Sequence, residues 1–434
     1  MKKNYFKPAC LILLALNLAA FVQNDPVNYK FDFGSAQLVS GYTKITADAV
    51  YSVEKGYGFD FDSKPETLSR NAAISNKPFY FSAKLPEGNY EVKIVLGDAK
   101  TAASTTVKAE SRRLMLENIQ TKAGQFVTKT FMVNVKDRKI SSGGQVSLKP
   151  RELTKLDWDD KLTLEFDVKP ALKSIEIKKV TNQTTIFLAG NSTVVNQDDE
   201  PWASWGQMIP RFFKPGVVIA NHAESGLTLG SFIGSKRLEK VLSVMKPGDY
   251  LFIEFGHNDQ KEKGPNDGAY KSYTERLQFF VAETKKKGGI PVIVTSTSRR
   301  SFGAAGKIEN SLGDYPEAAR QVAKQENVAL IDLNAMTTKM WDTLGVENST
   351  KAFVHYPANS YPGQDKPLAD NTHFNPYGAY EIAKCIIQGI KDNKLGIAKY
   401  LVDVPAFDPA IPDPVSSFQW PESPKSTVVK PDGN

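Results

Sequence analysis

Ile186-Phe187-Leu188-Ala189 runs without a break into Gly190-Asn191-Ser192-Thr193. An apolar run of strand length that stops at a glycine and small polar residues has the pattern of a buried strand emptying into a tight turn. In an open α/β sheet the carboxyl ends of the strands are where ligands bind, so such a turn would hold the Ser192 hydroxyl at the rim of the sheet. The same letters spell an N-glycosylation sequon, as do Asn182-Gln183-Thr184 and Asn348-Ser349-Thr350, and a sequon asks only for a surface loop. The junction alone leaves both readings open, and the surrounding chain has to separate them.

Downstream of Thr181, apolar strand segments at 184–189, 217–220, 249–255, 290–295 and 328–332 alternate with helical patterns near 202–213, 231–245, 269–287 and 315–326. Buried-looking strands separated by helices predict a parallel sheet covered on both faces. The last helix is well punctuated: Asn375 suits the N-cap and Pro376 the first helical position. Ala379, Ile382, Ala383, Ile386 and Ile390 then form an apolar stripe at helical spacing. Upstream, from Tyr29 to about Val180, the pattern is different. Segments such as Tyr90-Glu91-Val92-Lys93-Ile94-Val95-Leu96 and Leu162-Thr163-Leu164-Glu165-Phe166-Asp167-Val168 alternate apolar and polar residues between turn clusters such as Pro86-Glu87-Gly88-Asn89. Many short alternating strands without a long amphipathic helix predict a β-sandwich. The expected organisation is therefore a β-sandwich over 28–180, an α/β domain over 181–400 and a Pro-rich tail over 401–434, extended or draped.

At 434 residues the chain exceeds the usual size of one hydrophobic core, in keeping with two domains. Its 41% hydrophobic and 10% aromatic content carries no signature of disorder. Only the N-terminus departs from this. Lys2, Lys3 and Lys7 precede Leu11-Ile12-Leu13-Leu14-Ala15-Leu16 and Ala19-Ala20-Phe21-Val22, a charged region followed by an apolar one too short to span a bilayer. A secretory signal over 1–23 is expected, hence a secreted or periplasmic protein of bacterial type. No second apolar run of membrane length follows, so no membrane insertion is expected. Cys10 falls inside this segment; its removal leaves Cys385 without an intramolecular partner, so stability must rest on the core. The formal net charge of +7 shrinks with the signal lysines to an excess that suits an acidic substrate and equally an ordinary solvated surface. Lys285-Lys286-Lys287 fits a helix face, and nothing resembles a nucleic-acid module.

A serine nucleophile needs a base, a group that orients the base, and donors for the oxyanion. The chain has only His222, His257, His355 and His373. His373 stands in Asp370-Asn371-Thr372-His373 at the entry to the last helix. A carboxylate three residues before an imidazole can reach Nδ1–H and leave Nε2 free to take the serine proton. In isolation such a pair is also an ordinary loop feature. Two further turns follow apolar strands: Asn221-His222-Ala223-Glu224-Ser225-Gly226 and Gly256-His257-Asn258-Asp259. In a parallel sheet they would crowd the edge that carries Ser192, so the Ser192 and Gly226 amides and the Asn258 side chain are candidates for an oxyanion hole. A turn glycine and a helix-capping Asn remain the plainer alternatives. Trp202 and Trp205 have spacing suited to the core. There is no Gly-x-Ser-x-Gly elbow, which leaves the common α/β-hydrolase arrangement unsupported. No His-Glu-x-x-His or Cys/His cluster points to zinc, and neither metal nor cofactor is expected.

Together these turns resemble the blocks of SGNH (GDSL-type) hydrolases: Gly190-Asn191-Ser192, Gly226, Gly256-His257-Asn258-Asp259 and Asp370-Asn371-Thr372-His373, in the right order over roughly 184–395. Trp202-Ala203-Ser204-Trp205-Gly206, the words around Gly226, Arg299-Arg300 and Asn371-Thr372-His373-Phe374 are most similar to rhamnogalacturonan acetylesterases of carbohydrate esterase family 12. Tyr29-Lys30-Phe31-Asp32-Phe33-Gly34, Gly88-Asn89-Tyr90 and Leu156-Asp157-Trp158-Asp159-Asp160 resemble the galactose-binding-like sandwich that precedes some bacterial members. The resemblance implies a three-layer, flavodoxin-like parallel sheet and a serine esterase removing O-acetyl groups from an acidic polysaccharide, pectic rhamnogalacturonan. Ser192 would be the nucleophile, His373 the base and Asp370 its orienting group. Arg299 and Arg300 are candidates for galacturonate carboxylates, since Arg grips carboxylates bidentately, although surface arginines need no such role. The rivals are an acetylesterase on another plant glycan such as xylan, a lipid-acting esterase, and a non-catalytic carbohydrate-binding protein in which the sandwich does the work. The family has Asp where this chain has Asn191. That residue organises the turn, and Asn keeps one acceptor while losing the charge, so activity is expected to survive.

Overall fold

A computed structural model of the chain describes residues 1, 28–36, 39–424 and 429–432. Apart from Met1, the segment expected as a signal, Cys10 included, lies outside the described residues.

From Asn28 to Val180 the chain forms two sheets around one core. The first runs Val127–Val135, Gly88–Leu96, Ala171–Val180, Asn28–Asp32 and Thr43–Lys44 in spatial order, and the second Tyr57–Asp60, Phe79–Lys84, Lys161–Lys169, Ala103–Ala109 and Arg113–Thr121. Alternation along each strand does what a period of two requires: Tyr90, Val92, Ile94 and Leu96 are buried while Lys93 faces water. Between the sheets Phe31, Phe33, Phe59, Phe79, Phe81 and Phe166 meet edge-on or stacked.

The second half is an all-parallel sheet of β1 (Thr184–Gly190), β2 (Val217–Asn221), β3 (Tyr250–Glu254), β4 (Ile290–Val294) and β5 (Ala329–Ile331), in spatial order β2-β1-β3-β4-β5. Both faces are covered, which is why its strands are continuously apolar. Ile186 and Leu188 pack with α4 (Leu333–Asn348) and α5 (Pro376–Asp392), whereas Phe187 and Ala189 pack with α1 (Arg237–Val244), α2 (Thr274–Lys286) and α3 (Tyr315–Glu326). The cap of α5 forms as its sequence requires, with the Gly378 amide donating to Asn375 Oδ1 at 3.0 Å. In this strand order the connections leave β1 and β3 toward opposite faces, so their carboxyl ends open the crevice where α/β sheets hold ligands.

Three helical expectations need adjusting. The pattern at 202–213 yields only Trp205–Met208 followed by a 3-10 turn, Ile209–Phe212, because Pro210 interrupts it. The pattern at 231–245 breaks into Leu229–Gly234 and α1 at Lys236, which adopts φ 62°. Helix α4 was not anticipated: its buried stripe of Leu333, Thr337, Met340 and Trp341 includes a polar residue, so the periodicity is weak.

The two halves are joined by buried polar contacts. Arg237 Nη2 donates to Glu152 at 2.5 Å. Arg112 pairs with Glu200 and donates to the carbonyls of Gln197 and Trp202 at 3.2 and 2.9 Å. Beyond Leu401 the chain is draped across this junction: Phe407, Phe418 and Trp420 lie against the core of the α/β half, while Ser423 Oγ donates to Glu165 of the sandwich at 2.9 Å. Among the described residues no helix is long and apolar enough to cross a membrane.

Candidate active site

Gly190 ends β1, and a Cβ there would lie 2.5 Å from Val194 Cγ2, so the chain turns where a larger residue has no room. The turn is locked locally. The Thr193 amide and hydroxyl lie 3.2 and 3.0 Å from Asn191 Oδ1, and the Val194 amide donates to the Asn191 carbonyl at 3.1 Å. Thr193 Oγ1 is also 2.8 Å from Glu254 Oε1, and Trp205 Nε1 donates to the other oxygen of Glu254 at 2.5 Å. One threonine proton cannot serve two acceptors. Burial pushes the Glu254 carboxyl up to about 7 against the pull of those hydrogen bonds, and when protonated it supplies the second proton itself. Asn191 Nδ2 is buried with no partner among the described residues.

Asp370 and His373 arrive on a strand, Leu368–Phe374, that pairs with Phe353–Tyr356 and leads into α5. His373 Nε2 lies 2.8 Å from Ser192 Oγ, and His373 Nδ1 lies 2.8 Å from Asp370 Oδ2. The second Asp370 oxygen accepts the amides of Thr372 and His373 at 2.9 and 3.0 Å. Burial raises the Asp370 carboxyl, but the bond to His373, its charge and these amides outweigh it and hold the group well below the usual carboxylate range. An ionised Asp370 keeps the proton on Nδ1 and leaves Nε2 as an acceptor facing the serine. The other histidines are elsewhere: His222 is buried against Trp158 and Phe187, His257 Nε2 meets the Thr297 carbonyl, and His355 meets Asn371.

The turns after β2 and β3 supply Gly226 and Asn258. Gly226 has φ 77°, open to glycine at little cost. Asn258 Nδ2 donates one proton to the Leu227 carbonyl at 3.1 Å, leaving its second. The Ser192 and Gly226 amides have no intramolecular acceptor among the described residues.

The sequence reading missed what holds the Gly226 turn, because it comes from the other domain. Lys149 Nζ donates to the Ser225 carbonyl at 2.6 Å and Arg151 Nη2 to the same oxygen at 3.2 Å. Arg151 also pairs with Glu224, which Lys155 meets at 3.2 Å. Glu224 is buried, which raises its carboxyl, yet Lys155, Arg151 and Arg237 hold it below the ordinary range. A peptide plane is rigid and trans, so its C=O and N–H point in opposite directions. Cations on the Ser225 oxygen therefore fix the direction of the Gly226 N–H and polarise it as a donor. The only sequence signal was a charged Glu224 at a strand end and the spacing of Lys149, Arg151 and Lys155.

Arg299 donates to the carbonyls of Ser311 and His257, at 3.2 and 3.3 Å. Arg300 donates to Ser349 Oγ at 3.0 Å, to Asn371 Oδ1 at 3.1 Å and to the Val346 carbonyl. Both guanidinium groups thus brace the loops that carry the site. Trp202 and Trp205 are core residues, 2% and 0% exposed. Among the described residues no group of three or more His, Cys, Asp or Glu is placed to hold a metal ion.

Residues 188–379 match the GDSL-like lipase/acylhydrolase family. Over 219 residues the chain is 40% identical to rhamnogalacturonan acetylesterase RhgT of Bacillus subtilis, covering 50% of this chain and 94% of that protein. The chain belongs to the GDSL-like acylhydrolase family. Residues 29–142 match the galactose-binding-like domain of the beta-agarase/YXIM esterase type. YxiM of B. subtilis, an uncharacterized esterase, is 27% identical over 397 residues, 87% of this chain and 93% of that one. The crystal structure of YxiM aligns over 85% of this chain and 99% of that chain at 26% identity, with a TM-score of 0.47. This GDSL-type hydrolase is accordingly an esterase with an N-terminal galactose-binding-like domain.

Proposed function

We propose that this esterase removes O-acetyl groups from a pectic polysaccharide, rhamnogalacturonan, through an acyl-enzyme. The observation that carries the reading is the continuous hydrogen-bonded line Ser192–His373–Asp370 at 2.8 and 2.8 Å. Ser192 Oγ attacks the acetyl carbonyl while His373 Nε2 takes its proton. The tetrahedral oxyanion is met by the Ser192 and Gly226 amides and the free Asn258 Nδ2 proton. His373 then returns the proton to the departing sugar oxygen, leaving acetyl-Ser192. Water, deprotonated by the same imidazole, attacks the acyl carbon, and acetate leaves as Ser192 recovers its proton. No step calls for a metal. Support for the substrate comes from RhgT and from YesY, a probable rhamnogalacturonan acetylesterase 30% identical over 220 residues.

Release of acetate from acetylated rhamnogalacturonan and acetylated xylan, each with Ser192→Ala as control, tests both parts. The expected result is faster release from the acidic polymer and a loss of about 10,000-fold or more in the variant. Undiminished hydrolysis by Ser192→Ala would sink the mechanism, and a preference for xylan would sink the substrate.

A further inference from the structure

The turn that presents Gly226 is covered by a basic cradle built from the sandwich side of the junction. The short turn Pro150–Thr154 is anchored by Glu152, whose carboxylate accepts the Lys149 amide at 2.8 Å and the buried Arg237 guanidinium at 2.5 Å. This anchor projects Lys149 and Arg151 over Ser225-Gly226. Lys149, Arg151 and Lys155 face two carboxylates there, Glu224 and Asp198, which leaves one positive charge in excess. A carboxylate from far along the chain meets that excess. Asp432 Oδ2 lies 3.1 Å from Lys149 Nζ and 3.2 Å from Arg151 Nη2. The same residue's Cβ lies 3.0 Å from where a Cβ on Gly226 would stand. Beside the cradle is a cavity of about 340 Å³ that includes Gln197 and mixes cations (Arg112, Arg151, Lys155) with carboxylates (Glu110, Asp198, Asp199), so the positive end of the site is at Lys149 and Arg151 rather than in the cavity as a whole. That volume lies within the range of small-molecule sites, and Gln197 donates to the Ser192 carbonyl at 2.9 Å, tying the cavity to the nucleophile.

We infer that Lys149 and Arg151 form a subsite for the carboxylate of a uronic-acid residue of the substrate, and that Asp432 occupies it as an internal stand-in. The inference rests on the acidic-glycan reading above and adds a residue-level basis for it. Lys149 and Arg151 together hold a carboxylate here, and the occupant is held loosely: the Lys149–Asp432 pair is between side chains 31% and 56% exposed, a setting in which such contacts are weak and readily exchanged. A uronate brought in by the substrate displaces Asp432 and sets the neighbouring sugar beside the oxyanion turn. Recognition of the acidic polymer thus falls to the galactose-binding-like half, at its border with the catalytic half.

Binding is tested without hydrolysis, by titration calorimetry on the full chain carrying Ser192→Ala, with digalacturonate, xylobiose and sodium acetate as probes. Digalacturonate should bind about fivefold more tightly when Asp432→Ala is added and lose that gain when Lys149→Met is added as well. Xylobiose should not distinguish the three proteins, and acetate should bind far more weakly than digalacturonate. Equal affinity for digalacturonate with and without Asp432→Ala overturns the inference, as does absence of digalacturonate binding in all three. Acetate binding as tight as digalacturonate overturns it too, by reducing the cradle to a general anion site. Failure of the esterase reading is seen separately, in 4-nitrophenyl acetate hydrolysis by the unsubstituted chain against Ser192→Ala.

Discussion

The turn at Gly190–Thr193 and the turn at Ser225-Gly226 follow adjacent strands of one sheet, but they are held by different means. The first is secured from within: Asn191 holds Thr193 and Val194 of its own turn, and the buried Glu254 next door completes the set. The second makes few bonds of its own and is secured by Lys149, Arg151 and Lys155, about seventy residues upstream and in another domain. Local turn chemistry makes the placement of Ser192, the proposed nucleophile, a property of the α/β fold. Long-range charge makes the Gly226 donor depend on how the two domains dock.

Substitutions at each turn sharpen that contrast. The largest effect after Ser192→Ala belongs to Asp370→Asn, which should lower kcat by about 10,000-fold by losing the tautomer that leaves Nε2 bare, with the thermal midpoint little changed. Its pH signature follows from the lowered carboxyl. A depressed folded pKa contributes stability above the unfolded value and loses it only as pH falls through the folded one. Asp370 therefore stays ionised through the ordinary carboxylate range and keeps its bond to His373 there. The pH–rate profile should therefore carry no limb from Asp370 in the ordinary carboxylate range, and a limb there that Asp370→Asn removes would show that Asp370 titrates with the reaction.

Glu224→Gln attacks the second turn. Leaving Arg151 and Lys155 without their shared buried carboxylate should cost about 3 kcal/mol in denaturant unfolding and lower kcat about tenfold with KM for a small ester nearly constant. Loss of stability with kcat untouched would mean that domain docking does not reach the reaction centre. Glu254→Gln tests the first turn by pH. A carboxyl raised to about 7 binds its proton more tightly in the folded chain, so its contribution is full below the unfolded value, about 4.3, and is lost as pH rises through 7. The variant should lose less stability than the parent between about pH 4.5 and 7, measured by urea unfolding. Smallest is Asn191→Asp, which keeps the acceptor used by Thr193 and replaces an unpartnered buried amide nitrogen. Rate changes within about threefold are expected, and a larger gain would show that the missing charge matters.

Much of this was legible along the chain, for a physical reason. A strand buried on both faces must be apolar throughout, which exposed β1 to β5; a helix start needs a cap, which marked Asn375-Pro376. The partners of Ser192 were readable because Gly226 and Asn258 sit in turns directly after strands, and Asp370 and His373 on the short strand that leads into the capped last helix, where sequence pattern and position coincide. Arg299 and Arg300 were visible as residues but not as braces, since a guanidinium's partner is set by whichever loop lies opposite. The unexpected α4 shows the same limit at the level of elements: Thr337 on its buried stripe is stabilised by bonding the Leu333 carbonyl at 2.7 Å, a contact no hydrophobic period contains. A sandwich, a parallel α/β sheet and a Ser–His–Asp set at its edge were already written along the chain, because these follow from local periodicity and turn chemistry. That the sandwich docks on this edge, that Lys149 and Arg151 hold the Gly226 peptide, and that Asp432 returns to meet them emerge only on folding. Ion pairs across such distances leave no periodic trace, since a charged residue on a surface and one in a cross-domain cradle are the same letter until the chain has folded.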